Sequence, residues 1–130
     1  MDTIPLVADE IDAGFDFLRR MNDYRHVTAA CWLRAGENEE RYLYAAVEGL
    51  TVANSGPAYL EVLRITQEMT DHYLDPFRVK LIEVNDPVAK AIEEIYRRFP
   101  APIPTRFQGR VFAGMAVSEV YIYPPLPCKP

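Results

Sequence analysis

Arginine dominates the chemistry available to residues 97–110. This segment holds four arginines and no acidic residue, although the whole chain carries a formal net charge of −5. Arg106, Gln108 and Arg110 occupy alternate positions, so a β-strand would carry all three on one face. Because guanidinium groups bind phosphates and carboxylates in fixed geometry, the pattern predicts an anion site or a surface for an acidic partner.

The same arginines also have a purely structural interpretation. Arg97 and Arg98 fall in the last turn of a predicted helix, where cations offset the negative end of the helix dipole. The predicted basic strand can pair with the acidic residues that crowd the start of the first helix, which are Asp9, Glu10, Asp12 and Asp16. We favour a structural role or a partner surface over a small-anion site, because clustered charges often form ion-pair networks.

Aromatic residues form the second group with chemical potential. Alternation predicts that Trp32, Tyr42 and Tyr44 share one face of a hairpin, and that Tyr121 and Tyr123 share one face of the final strand. Such residues beside arginines can stack on the bases of single-stranded nucleic acid. They can also form a protein interface, since Tyr, Trp and Arg dominate binding hot spots. Core packing is the third interpretation.

Residues for catalysis or metal binding are few. The two histidines, His26 and His72, have no metal-ligand spacing between them, and a shared site would require the fold to bring them together. Neither Ser55 nor Ser118 lies in a Gly-x-Ser-x-Gly elbow. Cys31 would need a histidine base and an exposed pocket. Because phosphate-cradling glycine motifs are also absent, the sequence predicts no catalytic residue, no metal and no cofactor.

Hydrophobic periodicity predicts eight elements. A helix is expected over residues 8–22, although Gly14 disfavours it, and a hairpin over 26–34 and 41–48. Asn54 to Pro57 reads as a helix start, and Asp86-Pro87 as another. The remaining elements are strands near 79–84, 106–113 and 117–123, with Gly114 in the last turn.

These elements have the order αββαβαββ. Helices combined with pairs of mostly antiparallel strands predict an α+β fold, a two-layer sandwich with the helices packed on one face of the sheet. In such a fold the other face could stay open and carry the aromatic residues. Within the first strand, we expect Val27 on the same face as Ala29, Cys31 and Leu33.

The chain has the length of one domain, and we assign residues 1–123 to it. Residues 124–130 form a proline-rich tail, which is expected to be extended and mobile unless it docks on the domain. Cys128 in this tail is expected to be an exposed thiol.

Composition narrows the class of protein. Apolar residues make up 49% of the chain and charged residues 25%, as in globular proteins. The pI near 5.0 disfavours a protein that coats nucleic acid or an anionic membrane. No apolar run is long enough for a membrane span, and two cysteines are too few for a disulfide framework. A cytoplasmic location is therefore expected.

Together these patterns favour a non-catalytic interaction domain that binds another protein, or a second copy of itself as a homodimer. The aromatic sheet face and the basic strand would supply the binding surface. The first alternative is an enzyme for small molecules or nucleotides, with arginines holding an anionic substrate and His72 moving protons in the same cleft. The second alternative is a binder of single-stranded nucleic acid, whose affinity would fall steeply with salt.

Overall fold

The computed structural model describes residues 8–35, 40–69, 73–98 and 105–127, and of residues 105–110 it describes the backbone alone. His72 and Cys128 lie outside the described residues. The element order confirms the prediction apart from one added 3-10 turn. The helices are α1 (Ala8–Tyr24), α2 (Ser55–Glu68) and α3 (Pro87–Arg98), the turn is Pro76–Arg78, and the strands are β1 (Val27–Arg34), β2 (Tyr42–Val47), β3 (Val79–Ile82), β4 (Thr105–Phe112) and β5 (Met115–Ile122).

The helix starts differ in how they are capped. The Asp86 side chain accepts a hydrogen bond from the backbone N–H of Val88 at 2.9 Å, as the Asp-Pro sequence predicts for the start of α3. Asn54 precedes α2 but makes no cap bond, because its Oδ1 accepts instead from the N–H of Thr51 in the preceding turn. Within the described part of the chain, no helix is long and apolar enough to cross a membrane.

The five strands form one sheet in the order β3-β2-β1-β5-β4. All neighbouring pairs are antiparallel except β2 and β3, which run parallel and are connected through α2. A two-residue turn joins β4 to β5, and its residues Ala113 and Gly114 have φ values of 54° and 80°. Positive φ at both positions is typical of the turn that matches strand twist, which explains the glycine. The α+β class and the mostly antiparallel sheet are confirmed.

Helices cover both faces of the sheet, which corrects the prediction that they pack on one face. On the first face, α1 and α2 bury Phe17, Leu18 and Ile65 against strand residues that include Trp32 and Leu43. On the second face, α3 packs Val88, Ala89 and Ile92 against β1 and β5. Both faces of β1 are therefore covered, and seven of its eight residues are buried.

A β-bulge near the start of β1 corrects the predicted face of Val27. Val27 pairs with Val47, whereas Ala29 pairs with Ala46, so the register shifts between the two residues. The shift places Val27 in the core beneath α1 and α2, and Ala29 in the core beneath α3. An extra residue in one strand reverses the alternation beyond it, which is why the prediction for Val27 was wrong.

The proline-rich tail docks on the domain over its described part. Leu126 packs against the core beneath α1, and the Asn22 side chain donates a hydrogen bond to the carbonyl of Pro127 at 2.9 Å. The Asn22 Oδ1 also accepts from the N–H of Val27. One buried asparagine thus connects the end of α1, the start of β1 and the tail.

Candidate interaction surface

Part of the second sheet face is left accessible beside α3. Tyr42 and Tyr44 of β2 are half-buried there, and Lys80 of β3 is exposed. Tyr44 and Lys80 are direct partners in the parallel pair, so both side chains project on the same side. With Arg78, which precedes β3, these residues form what we call the tyrosine–lysine surface: Tyr42, Tyr44, Arg78 and Lys80.

Cations cover the tyrosine rings of this surface. The Lys80 Nζ lies 4.3 Å from the centre of the Tyr42 ring and 5.6 Å from that of Tyr44. The Arg78 guanidinium carbon lies 5.9 Å from the Tyr42 ring centre. Such contacts attract a cation to the negative face of the ring. They hold the Lys80 ammonium over apolar surface, where a partner can reach it.

Local sequence explains how these residues are placed. Val79 and Leu81 enter the core beneath α1 and α2, so alternation turns Lys80 to the other face. Before β3, the Asp75 side chain accepts a hydrogen bond from the N–H of Phe77 at 2.9 Å. This bond caps the 3-10 turn that ends at Arg78. Arg78 donates a hydrogen bond to Glu40 at 2.6 Å, which fixes its orientation.

The surface contains two cations, Arg78 and Lys80, with the carboxylates of Glu40 beside Arg78 and of Asp86 near Tyr44. Glu40 balances Arg78, which leaves the Lys80 charge over the two rings. Burial raises the pKa of the Tyr44 hydroxyl, with a smaller contribution from nearby Cys31. Tyr44 therefore stays neutral at physiological pH and keeps its hydroxyl proton for donation. The surface can offer a cation, two phenol groups and partly exposed aromatic area.

The predicted five-residue aromatic group is divided between the two faces. Trp32 pairs with Leu43 of β2, so its side chain lies opposite to those of Tyr42 and Tyr44. This corrects the expected hairpin cluster of the three residues. The prediction misassigned Trp32 because the register of the hairpin was unknown.

Trp32 instead joins Tyr121 and Tyr123 beneath α1. The Trp32 Nε1 donates to the Tyr123 hydroxyl at 2.9 Å, and that hydroxyl donates to the carbonyl of Ile11 at 2.6 Å. The Tyr121 and Tyr123 rings meet edge to face at 5.1 Å. Because Trp32 is 3% exposed and Tyr123 2% exposed, these two residues contribute to the core and present almost no area to a partner.

The predicted basic strand is β4, at one edge of the sheet. Its register places Arg106 opposite Tyr121, Gln108 opposite Glu119 and Arg110 opposite Val117. The side chains of Arg106, Gln108 and Arg110 lie outside the described residues, so their binding role stays a prediction. Arg97 and Arg98 are exposed in the last turn of α3 and form ion pairs with Glu94. That arrangement agrees with the structural interpretation.

A buried ion-pair network is a feature that the sequence analysis missed. Glu119 of β5 is 1% exposed, and its Oε1 lies 3.3 Å from Arg41 and 3.8 Å from Arg34. Arg41 also contacts Glu10 of α1 at 3.2 Å. In the sequence, the indication of this network is a single glutamate, Glu119, within a largely apolar strand. These ion pairs connect α1 to the sheet through Arg41.

His26 and Cys31 do not assemble a catalytic site in the described part of the chain. His26 Nδ1 lies 2.9 Å from the Asn22 Oδ1 at the start of β1, which is a local structural contact. Cys31 is fully buried, and burial raises the pKa of its thiol, so the reactive thiolate is disfavoured. Among the described residues, no group of His, Cys, Asp and Glu is arranged to hold a metal ion.

One open cleft lies where the parallel strands β2 and β3 end. Its volume is about 260 Å³, and Thr51, Ser55, Glu83, Asn85 and Asp86 are among its lining residues. Ligands of α/β proteins often bind at this position relative to parallel strands. Here the Asp86 carboxylate already caps α3, and the other carboxylate, Glu83, is exposed. The Asp86 carboxylate therefore has a structural role at this cleft.

Comparison with protein-family models, with curated proteins and with solved structures gave no match.

Proposed function

We propose that this chain is a non-catalytic interaction domain that binds an acidic protein partner through the tyrosine–lysine surface. The observation that carries the proposal is the placement of Lys80 over Tyr42 and Tyr44 on the accessible part of the sheet. Tyrosine and arginine are enriched at protein-binding hot spots, because they supply large contact area together with a polar group.

The charge of Lys80 favours an acidic partner. The whole chain carries a net charge of −5, so this cation stands out against it and can orient an approaching acidic protein. Lys80 can exchange part of its ring contact for a carboxylate. Phe77, next to Arg78 and 81% exposed, adds apolar area close to the surface.

Protein is favoured over single-stranded nucleic acid by the same contacts. Base stacking requires a free ring face. Lys80 and Arg78 both lie over the Tyr42 ring, and Lys80 also approaches the Tyr44 ring. A base would have to displace these cations before it could stack. The edges and hydroxyl groups of the rings remain suited to a protein surface.

The enzyme alternative has less support. It requires His72 to share a pocket with Arg106. His72 and the side chain of Arg106 lie outside the described residues, so no observed contact supports a shared pocket. The cytoplasmic location also remains a prediction, with which a free buried cysteine is compatible.

A charge reversal at Lys80 tests the proposal. We expect an acidic protein to be captured from an extract of the native cells by the wild type but not by Lys80→Glu. The matched control is Lys90→Glu, which makes the same charge change at an exposed position on α3 and should retain the partner. With the purified partner, Lys80→Glu should raise the Kd about 30-fold, as expected for a hot-spot residue.

Two results would contradict the proposal. Lys80→Glu could capture the same proteins with unchanged affinity, or the captured partner could contact the domain through a basic surface. Circular dichroism of both variants should show a spectrum like that of the wild type, which would establish that the changes leave folding intact. Higher salt should weaken binding, because the attraction between exposed charges is screened.

A further inference from the structure

Within the described ranges, the two edges of the sheet differ in length and in the contacts that cover them. At one edge, β3 has only four residues. The N–H of Leu81 in β3 donates to the hydroxyl of Tyr59 at 2.9 Å, so α2 already occupies part of this edge. Short edges whose backbone groups are covered resist pairing with other chains.

The other edge is formed by β4, which has eight residues and is last in the strand order. It pairs with β5 from Thr105 to Phe112 along one side. No strand of the described chain pairs with its other side. In an edge strand, alternate backbone N–H and C=O groups point away from the sheet, and an extended segment can add to them as a new strand.

The composition of β4 indicates what kind of segment fits. Thr105–Phe112 contains Arg106 and Arg110 and no acidic residue. The two arginines are four residues apart, which corresponds to about 13 Å along a strand. Carboxylates four residues apart on an adjacent strand have the same spacing, and opposite charges on neighbouring strands stabilise the pair.

A second copy of β4 is a poorer occupant. Pairing centred on Gln108 would place Arg106 of each copy opposite Arg110 of the other. Like charges directly across a strand pair are destabilising. The charge of β4 thus argues against a symmetric dimer in this register.

We infer that the β4 edge binds an extended acidic segment of another protein as a sixth strand, with carboxylates opposite Arg106 and Arg110. Backbone hydrogen bonds supply affinity, and the two arginines select the register and the charge of the segment. This site is separate from the tyrosine–lysine surface, since β4 and β3 lie at opposite edges of the sheet. The inference therefore does not depend on the proposed function.

A synthetic peptide of defined charge tests the inference. The probe is a fluorescent peptide of about eight residues that alternates Thr and Val and carries two glutamates four positions apart. We expect it to bind the wild type and Lys80→Glu equally. The double change Arg106→Glu with Arg110→Glu should weaken binding at least about tenfold. Amide hydrogen exchange should slow in β4 when the peptide binds.

Two further peptides keep the test decisive if the double variant is less stable. Replacing both glutamates by lysines should abolish binding to the wild type and restore it to the double variant. Methylation of alternate backbone amides in the acidic peptide should also abolish binding, because it removes the strand hydrogen bonds. The inference is overturned if the acidic peptide does not bind, if the arginine changes have no effect, or if the methylated peptide binds equally well.

Discussion

Gly14 shows how one residue can determine the contact between a helix and a sheet. A Cβ at this position would press against the Tyr123 hydroxyl and lie 2.9 Å from the Trp32 Nε1. These two atoms form the hydrogen bond beneath α1. Glycine usually weakens a helix, and here that cost permits the close approach of α1 to the aromatic residues.

We predict that Gly14→Ala lowers the free energy of unfolding by about 1–3 kcal/mol, because the added methyl group forces α1 away from the sheet. The control is Gly56→Ala in α2, where a Cβ would meet no atom within 4 Å. That change should be neutral or stabilise by up to about 1 kcal/mol, since alanine is the better helix former. Urea denaturation measures both. A Gly14→Ala protein that is as stable as the wild type would refute the close-packing explanation.

At the scale of elements, the docked tail offers the clearest test. Leu126 packs on the core and Pro127 accepts from Asn22. We predict that removing residues 124–130 lowers the free energy of unfolding by about 2 kcal/mol, the combined effect of a partly buried leucine and one hydrogen bond. Removing only 128–130 keeps both contacts and serves as the control. If the two truncated proteins have the same unfolding temperature, the docked tail contributes nothing to stability.

Elements and their order were predictable because their signals are local. Periodic apolar residues, Asp86-Pro87 and the turn at Gly114 each act within a few residues. The face of the sheet on which each side chain lies was harder to predict. The bulge after Val27 has no glycine or proline to mark it, and the register of the hairpin decides which side Trp32 occupies. Helices on both faces follow from long-range strand order, which no local pattern contains.

The candidate site was predictable only in part for the same reason. Tyr42 and Tyr44 were identified from alternation within one strand. Lys80 and Arg78 were missed, since they join the tyrosines through the parallel pairing of β2 with β3, across the whole of α2. Likewise, Glu119 meets Arg34 and Arg41 only once β5 lies beside β1. Contacts between distant segments depend on topology, and a single sequence does not reveal it.

At the scale of the whole molecule, buried thiol and phenol groups make the free energy of unfolding decrease at alkaline pH. Burial raises the pKa of the Cys31 thiol above its ordinary value of 9.0, and the pKa of Tyr123 and Tyr96 above 10.0. In the unfolded chain these groups lose their protons at their ordinary values, whereas the folded chain retains them. Their contribution to stability is therefore complete below about pH 9 and declines as the pH rises.

We predict that the free energy of unfolding falls above about pH 9, by up to about 1.4 kcal/mol per pH unit for each group whose proton the folded state retains. Urea denaturation at a series of pH values measures the slope. Cys31→Ala should move the onset of the decline to about pH 10, where the tyrosines titrate. An onset that is the same in this variant would exclude Cys31 as the cause.

Strand order also has a consequence for synthesis of the chain. The last strand to be made, β5, lies between β1 and β4, and the bond from Trp32 to Tyr123 joins residues 91 positions apart. In a nascent chain, β1 can pair with β2, and β2 can then pair with β3. The other edge of β1 stays unpaired until β5, which ends at residue 122, has left the ribosome. During that interval a strand that is almost entirely buried in the finished protein stays open on one edge. We therefore expect incomplete chains to aggregate more readily than the finished protein.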